Sequence, residues 1–153
     1  MHSGTFFKEV IMGVVGLAHA AFNVTDMDRE IAFYHDLFGF EKAFEMPHYL
    51  TGEPWIVYMH VGKDQFLELF YGGVTITPYA DSNAGFSHLC LEVNDINEIA
   101  DRIVAYGASL DAPVRQGVDG NWQCWTHDPD GNRIELMQME KDSLQNKFLE
   151  SLG

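Results

Sequence analysis

Residues 16–41, GLAHAAFNVTDMDREIAFYHDLFGFE, decide how the rest of the chain is read. Residues 16–24 have the character of a strand, and Thr25-x-x-Asp28 then has the spacing that satisfies free backbone N–H groups at a helix start. Met27, Ile31, Tyr34 and Phe38 follow at helical steps on one face, and Gly39 supplies the left-handed residue that ends a helix. Strand-like runs come next, near 41–46, 55–61 and 65–71. The unit is therefore strand, helix and three strands.

The same unit then returns. Residues 86–93, FSHLCLEV, read as a strand, Asp95 is placed to cap a helix, and Ile96, Ile99, Ile103 and Tyr106 mark its apolar face before Gly107 closes it. Strands are expected near 109–115, 121–127 and 132–139, the last two joined by Asp128-Pro129-Asp130-Gly131, strong turn chemistry. His19 recurs as His88 and Glu68 as Glu135, each shifted by roughly 70 residues, so the halves align through their length. The expected fold class is α+β, one domain over 1–153 with two tandem βαβββ modules at about 14–73 and 86–139. A linker at 74–85 joins them. A C-terminal helix at about 143–152 carries Leu144, Phe148 and Leu152 on one side.

A chain of 153 residues with 46% hydrophobic and 13% aromatic content can bury a single substantial core. Its 23 acidic and 9 basic side chains give a formal charge of -14, which repels phosphate backbones and anionic membrane surfaces and argues against nucleic acid and membrane partners. No run approaches the roughly 18 apolar residues of a membrane helix, and no basic segment precedes an apolar one near the N-terminus, so a cytoplasmic location is expected. Cys90 and Cys124 make no disulfide framework and read as structural free thiols.

Strand alternation places His88 with Phe86, Cys90 and Glu92, and Leu89, Leu91 and Val93 on the opposite face, which should meet the helix. His19 is opposed in the same way by Phe22 and Val24, Glu68 by Leu67 and Leu69, and Glu135 by Ile134 and Leu136. The two His and two Glu side chains then point toward the concave side of the sheet. A carboxylate among apolar strand residues is costly to bury unless something pairs with it, and a divalent cation would do so. Two imidazoles and two carboxylates balance a 2+ charge and leave room in an octahedral shell for water or a chelating substrate. His19, Glu68, His88 and Glu135 are accordingly the expected ligands of one divalent metal ion; Ni, Co, Zn, Mn and Fe all suit this donor set. Any one of these residues alone is unremarkable in a strand, and the repeat symmetry carries the inference. His2, His35, His48, His60 and His127 suit surface or hydrogen-bonded roles. Trp55, Trp122, Trp125, Phe66 and Phe70 suit packing as well as a pocket wall.

With GLAHAAFNVTDMDREIAFYHDLFGFE, FLELF (66–70), GFSHLCLEV (85–93) and DPDGNRIELMQ (128–138), nearly the whole chain resembles the vicinal oxygen chelate superfamily, which includes glyoxalase I, methylmalonyl-CoA epimerase, extradiol dioxygenases and fosfomycin and bleomycin resistance proteins. The resemblance implies a U-shaped mixed sheet around a metal cleft, and a homodimer. His19, Glu68, His88 and Glu135 match the ligand set of bacterial glyoxalase I-like (lactoylglutathione lyase-like) enzymes. That match implies a lyase or isomerase that abstracts a proton next to a carbonyl through a metal-bound enediolate, with Glu68 or Glu135 as the catalytic proton carrier and a small-molecule substrate bearing adjacent oxygens. Asn23 and Gly72 stand where glyoxalase I usually carries an Arg and an Asn for its thiol conjugate, so the ligand set matches and the thiol-binding pair does not. The candidate substrate-binding residues are Asn23, Phe66, Phe70, Arg115 and Arg133, the two arginines being available to an anionic tail. Two rival functions remain open at this point: an iron-dependent dioxygenase using His19, His88 and Glu135, and a non-catalytic small-molecule binding protein of the resistance type.

Overall fold

Leu67, Leu69, Ile134 and Leu136 are essentially inaccessible to solvent, so the apolar strand faces expected from alternation do form the core. The structure is a computed structural model describing residues 13, 14 and 16–152; His2 lies outside the described residues. Module one runs β1 (His19–Asn23), α1 (Met27–Phe38), β2 (Glu41–Pro47), β3 (Pro54–Gly62) and β4 (Gln65–Phe70). Module two runs β5 (Leu89–Glu92), α2 (Ile96–Tyr106), β6 (Ala112–Gln116), β7 (Trp122–His127) and β8 (Arg133–Gln138), and α3 (Leu144–Ser151) follows. Each module folds into its own four-stranded mixed sheet, ordered β1-β4-β3-β2 and β5-β8-β7-β6. The first and last strands of each module are parallel neighbours, and the remaining pairs are antiparallel.

One core spans both modules. Met27, Phe33, Tyr34 and Leu37 of α1 join Ile96, Ile99, Ala100 and Ile103 of α2 and the inward faces of the central strands in a single cluster. Gly39 and Gly107 end the two helices in the left-handed conformation, with φ of 74° and 88°.

Several local expectations shift. The cap of α1 is Asp26, whose side chain accepts from the Arg29 N–H, because Thr25 is engaged by Asp130 of the other module. The buried stripe of α1 runs through Met27, Glu30, Phe33, Tyr34 and Leu37, leaving Ile31 and Phe38 at its margin. β5 starts at Leu89, so His88 stands just before the strand. Tyr106 is exposed at the end of α2, and α3 buries no residue, its Leu144, Phe148 and Leu152 facing solvent.

Beside this shared core, a polar cluster joins the modules and centres on the Asp128–Gly131 turn. Asp130 accepts from the Thr25 N–H at 2.7 Å, from the Thr25 hydroxyl and from Arg29 at 2.8 Å, while the Tyr34 hydroxyl donates to Asp128 at 3.0 Å. Glu30 completes the group on α1 without sharing its bonds. It is 0% exposed, and neither of its carboxylate oxygens has a hydrogen-bond partner. Burial first, then the negative charges of Asp128 and Asp130, push its pKa from 4.5 up to about 8; the Arg29 charge and the Asp130 backbone oppose this only in part.

Glu30 is therefore protonated in the folded chain at neutral pH and ionised in the unfolded one. The folded state holds the extra proton between these two pKa values, so Glu30 weakens the fold progressively as pH rises from about 4.5 to about 8, with the loss complete above that. Glu30→Gln keeps the shape without the proton. Urea unfolding across this range should find the variant gaining on the parent chain as pH rises, by roughly 2–4 kcal/mol at pH 9. A stability difference that does not change with pH would contradict the assignment.

Candidate metal centre

Strand register builds the same small device twice. Ala21 on β1 is the Cα partner of Glu68 on β4, and Cys90 on β5 is the Cα partner of Glu135 on β8. His19 and His88 each stand two residues before that partner, on the same face as the glutamate and one pleat along. His19 Nδ1 lies 3.3 Å from Glu68 Oε1, and His88 Nε2 lies 3.1 Å from Glu135 Oε2. Both carboxylates are buried, at 5% and 7% exposure, while the imidazoles reach out to solvent.

The antiparallel neighbours repeat as well. Tyr58 on β3 is the register partner of Glu68, and Trp125 on β7 that of Glu135. Tyr58 hydrogen-bonds Glu68, which pushes the phenol pKa up, burial and the carboxylate charge adding to the effect. The His88 ring meets Trp125 edge-on at 4.8 Å between centroids. The sequence reading missed Tyr58; its signal was only its place opposite Glu68 in a hairpin whose register had yet to be fixed.

The four candidate ligands come together as two pairs on two sheets. Among the described residues, no three His, Cys, Asp or Glu side chains gather where one metal ion could be held. Each pair presents an imidazole nitrogen and a buried carboxylate, the donor chemistry of half a divalent centre, and two such pairs match the 2+ charge. The donor set fits a metal ion shared between pairs.

The candidate substrate residues divide. Phe66 and Phe70 flank Glu68 on β4, Phe66 beside Tyr58 and His60 and Phe70 against Trp55. Arg133 lies two residues before Glu135 on β8. Asn23 instead lines a hollow of about 380 Å³ with Thr25, Phe86 and Asn132. Arg115 is exposed on β6, the far edge of the second sheet, separated from β8 by β7. Trp55 is packed against His48 and Phe70, and Trp122 on β7 is about one-third exposed. The other described histidines hold local bonds: His35 with Asp36, His60 with the Lys63 carbonyl, His127 with Asp111, and His48 with the Leu50 N–H.

The model of the Glyoxalase/Bleomycin resistance protein/Dioxygenase superfamily matches residues 16–136. The chain belongs to this superfamily. Among superfamily relatives, a probable lactoylglutathione lyase of Synechocystis is 30% identical over 128 residues, covering 80% of this chain and 94% of the relative. The lactoylglutathione lyase of Salmonella typhimurium is 29% identical over 127 residues, covering 80% of this chain and 91% of its own. A glyoxalase family protein from Enterococcus faecalis superposes with a TM-score of 0.69 at 25% identity, over 80% of this chain and 97% of that one. The fosfomycin resistance protein of Listeria monocytogenes shares the fold, at a TM-score of 0.67 and 18% identity, over 88% and 99% of the two chains.

Both cysteines are free. Cys90 is exposed as a residue, yet desolvation of its sulfur, then the charge and hydrogen bond of Glu135, push the thiol up to about 12. At pH 8 it should react sluggishly with a disulfide reagent despite its exposure. Glu135→Gln should quicken that reaction about tenfold for each pKa unit restored; an unchanged rate would show that Glu135 does not hold the thiol proton.

Proposed function

We propose that the chain is a divalent-metal-dependent lyase or isomerase of the glyoxalase type, and that two copies assemble each active site. His19 and Glu68 of one copy would hold the ion together with His88 and Glu135 of the partner subunit. The observation that carries this reading is the duplicated His–Glu pair at matching register positions, divided between two sheets of the same chain. Similarity near 30% to lactoylglutathione lyases over most of both chains supports the reaction class. Large apolar side chains left exposed, among them Leu17, Phe44, Tyr49, Leu50 and Phe86, support a paired assembly, because burying them against a second copy removes them from water.

When bound, the ion supplies Lewis acidity, stabilising negative charge on the oxygen of a carbonyl whose neighbouring carbon loses a proton. The chain supplies the rest. Glu68 and Glu135 are buried carboxylates, each suited to take the proton from that carbon and deliver it to the adjacent carbon. His19 and His88 fix the orientation of these carboxylates through the close contacts described above. Tyr58 gives Glu68 a hydroxyl partner, whereas Glu135 has the Cys90 thiol. Phe66 and Phe70 form an apolar wall beside Glu68 that limits water where the proton moves.

Two measurements test this. Metal-loaded protein should exchange solvent deuterium into α-hydroxycarbonyl compounds or thiol hemiacetals, and Glu68→Gln or Glu135→Gln should slow exchange by roughly 100-fold or more. The double variants His19→Ala/Glu68→Gln and His88→Ala/Glu135→Gln should each be inactive alone. Refolded together in equal amounts, they should regain about a quarter of the parent activity, since half the dimers then carry one intact site of two. No recovery in mixtures shown to contain heterodimers would refute the shared site, and oxygen uptake in place of proton exchange would refute the reaction class.

A further inference from the structure

Two of the described cationic side chains are held by carboxylates, Arg29 by Asp130 and Lys42 by Glu45. Arg133 forms no ion pair among the described residues. Its guanidinium carbon lies 4.2 Å from the centre of the Tyr79 ring and 4.7 Å from that of Trp125, held by two aromatic partners. Tyr79 comes from the 74–85 linker, whose start is pinned where Gly73 donates to the Val24 carbonyl at 3.1 Å; a Cβ at Gly73 would meet that oxygen at 2.8 Å. Trp125 in turn touches the His88 ring and is the register partner of Glu135. Arg133 and Glu135 share a face of β8 with Cα atoms about 7 Å apart, as two residues of strand dictate.

We infer that Arg133 determines substrate specificity at the proposed metal site by binding an oxyanion carried by the substrate. The inference rests on that site reading and deepens it by naming a substrate class. Aromatic rings attract a guanidinium through its faces, and its N–H donors lie in the plane, where they form a planar fork matched to carboxylate, phosphate or phosphonate oxygens. Tyr79 and Trp125 fix the cation without consuming its charge. The short step from Arg133 to Glu135 selects a small acid whose oxyanion lies within a few bonds of the carbon that loses its proton. A long anionic conjugate would carry its charge past this residue. Recognition then comes from a cation on the second module, on β8, the strand that also carries Glu135.

Anion binding can be read without turnover, from the indole N–H resonance of Trp125, assigned through Trp125→Phe. Glycolate and inorganic phosphate serve as probes and neutral ethylene glycol as control, each titrated into metal-free and metal-loaded protein. Glycolate, phosphate or both should shift the Trp125 resonance saturably in the metal-free chain, and ethylene glycol should not. Their relative affinities separate carboxylate from phosphate as the preferred group. Arg133→Gln should weaken the response at least tenfold while leaving the unfolding midpoint and metal content unchanged. It should also raise KM for an anionic substrate far more than for a neutral one. Saturable binding that persists in Arg133→Gln, or no response to either anion in the parent chain, would overturn the inference. Proton exchange unaffected by Arg133→Gln for anionic and neutral substrates alike would overturn it too, with the proposed reaction intact. Loss of anion binding in Arg133→Gln, alongside exchange that survives Glu68→Gln and Glu135→Gln, would support it while refuting the reaction.

Discussion

Parallel pairing of the first and last strand within each module is the constraint on which the structure depends. It needs a crossover helix, which α1 and α2 provide, and it fixes a register in which an imidazole stands one pleat from a buried carboxylate. A one-residue slip of β1 against β4 would turn His19 toward the core and Phe22 toward solvent, so burial of Phe22, Val24, Leu67 and Leu69 enforces the geometry of the His19–Glu68 pair. Ile134 and Leu136 do the same for Glu135. The core thus positions the candidate chemistry, and the buried carboxylates are the cost of that placement.

The second constraint is the seam. Asp128 and Asp130 leave the β7–β8 turn to take hydrogen bonds from Thr25, Arg29 and Tyr34, so helix α1 of one module holds the hairpin that carries Glu135 in the other. Asp128 is itself pushed up by burial, against the bonds from Asn132 and Tyr34 that favour its charge. Adding Glu30 to this group is locally unfavourable, and a proton resolves it. The molecule carries three acidic groups where one module meets the other, with one guanidinium paired among them.

The elements that repeat with a clean period were legible in the sequence. Alternation assigned the core faces of β4, β5 and β8, and Gly39, Asp95 and Gly107 marked helix ends by their own backbone chemistry. What local pattern could not supply was long-range. Thr25 satisfies the capping pattern, but Asp130, more than a hundred positions away, claims it, and the cap passes to Asp26. Glu30 lies off the face marked by Met27, Ile31, Tyr34 and Phe38, yet the buried stripe of α1 is rotated toward it by packing on both modules. The four candidate ligands were identifiable by repeat symmetry, whereas their division into pairs depends on how the two sheets are placed. Strand parity in the sequence already sets Arg133 on the face of Glu135, and strand order adds that Arg115 lies at the far edge of the sheet.

The most direct test of the central claim is anomalous diffraction from crystals grown with cobalt or nickel. A shared site gives one strong peak per chain at about 2.0–2.2 Å from donor atoms of His19 and Glu68 and from those of His88 and Glu135 of the partner subunit. A peak held by one His–Glu pair alone, or by residues outside all four, would contradict it.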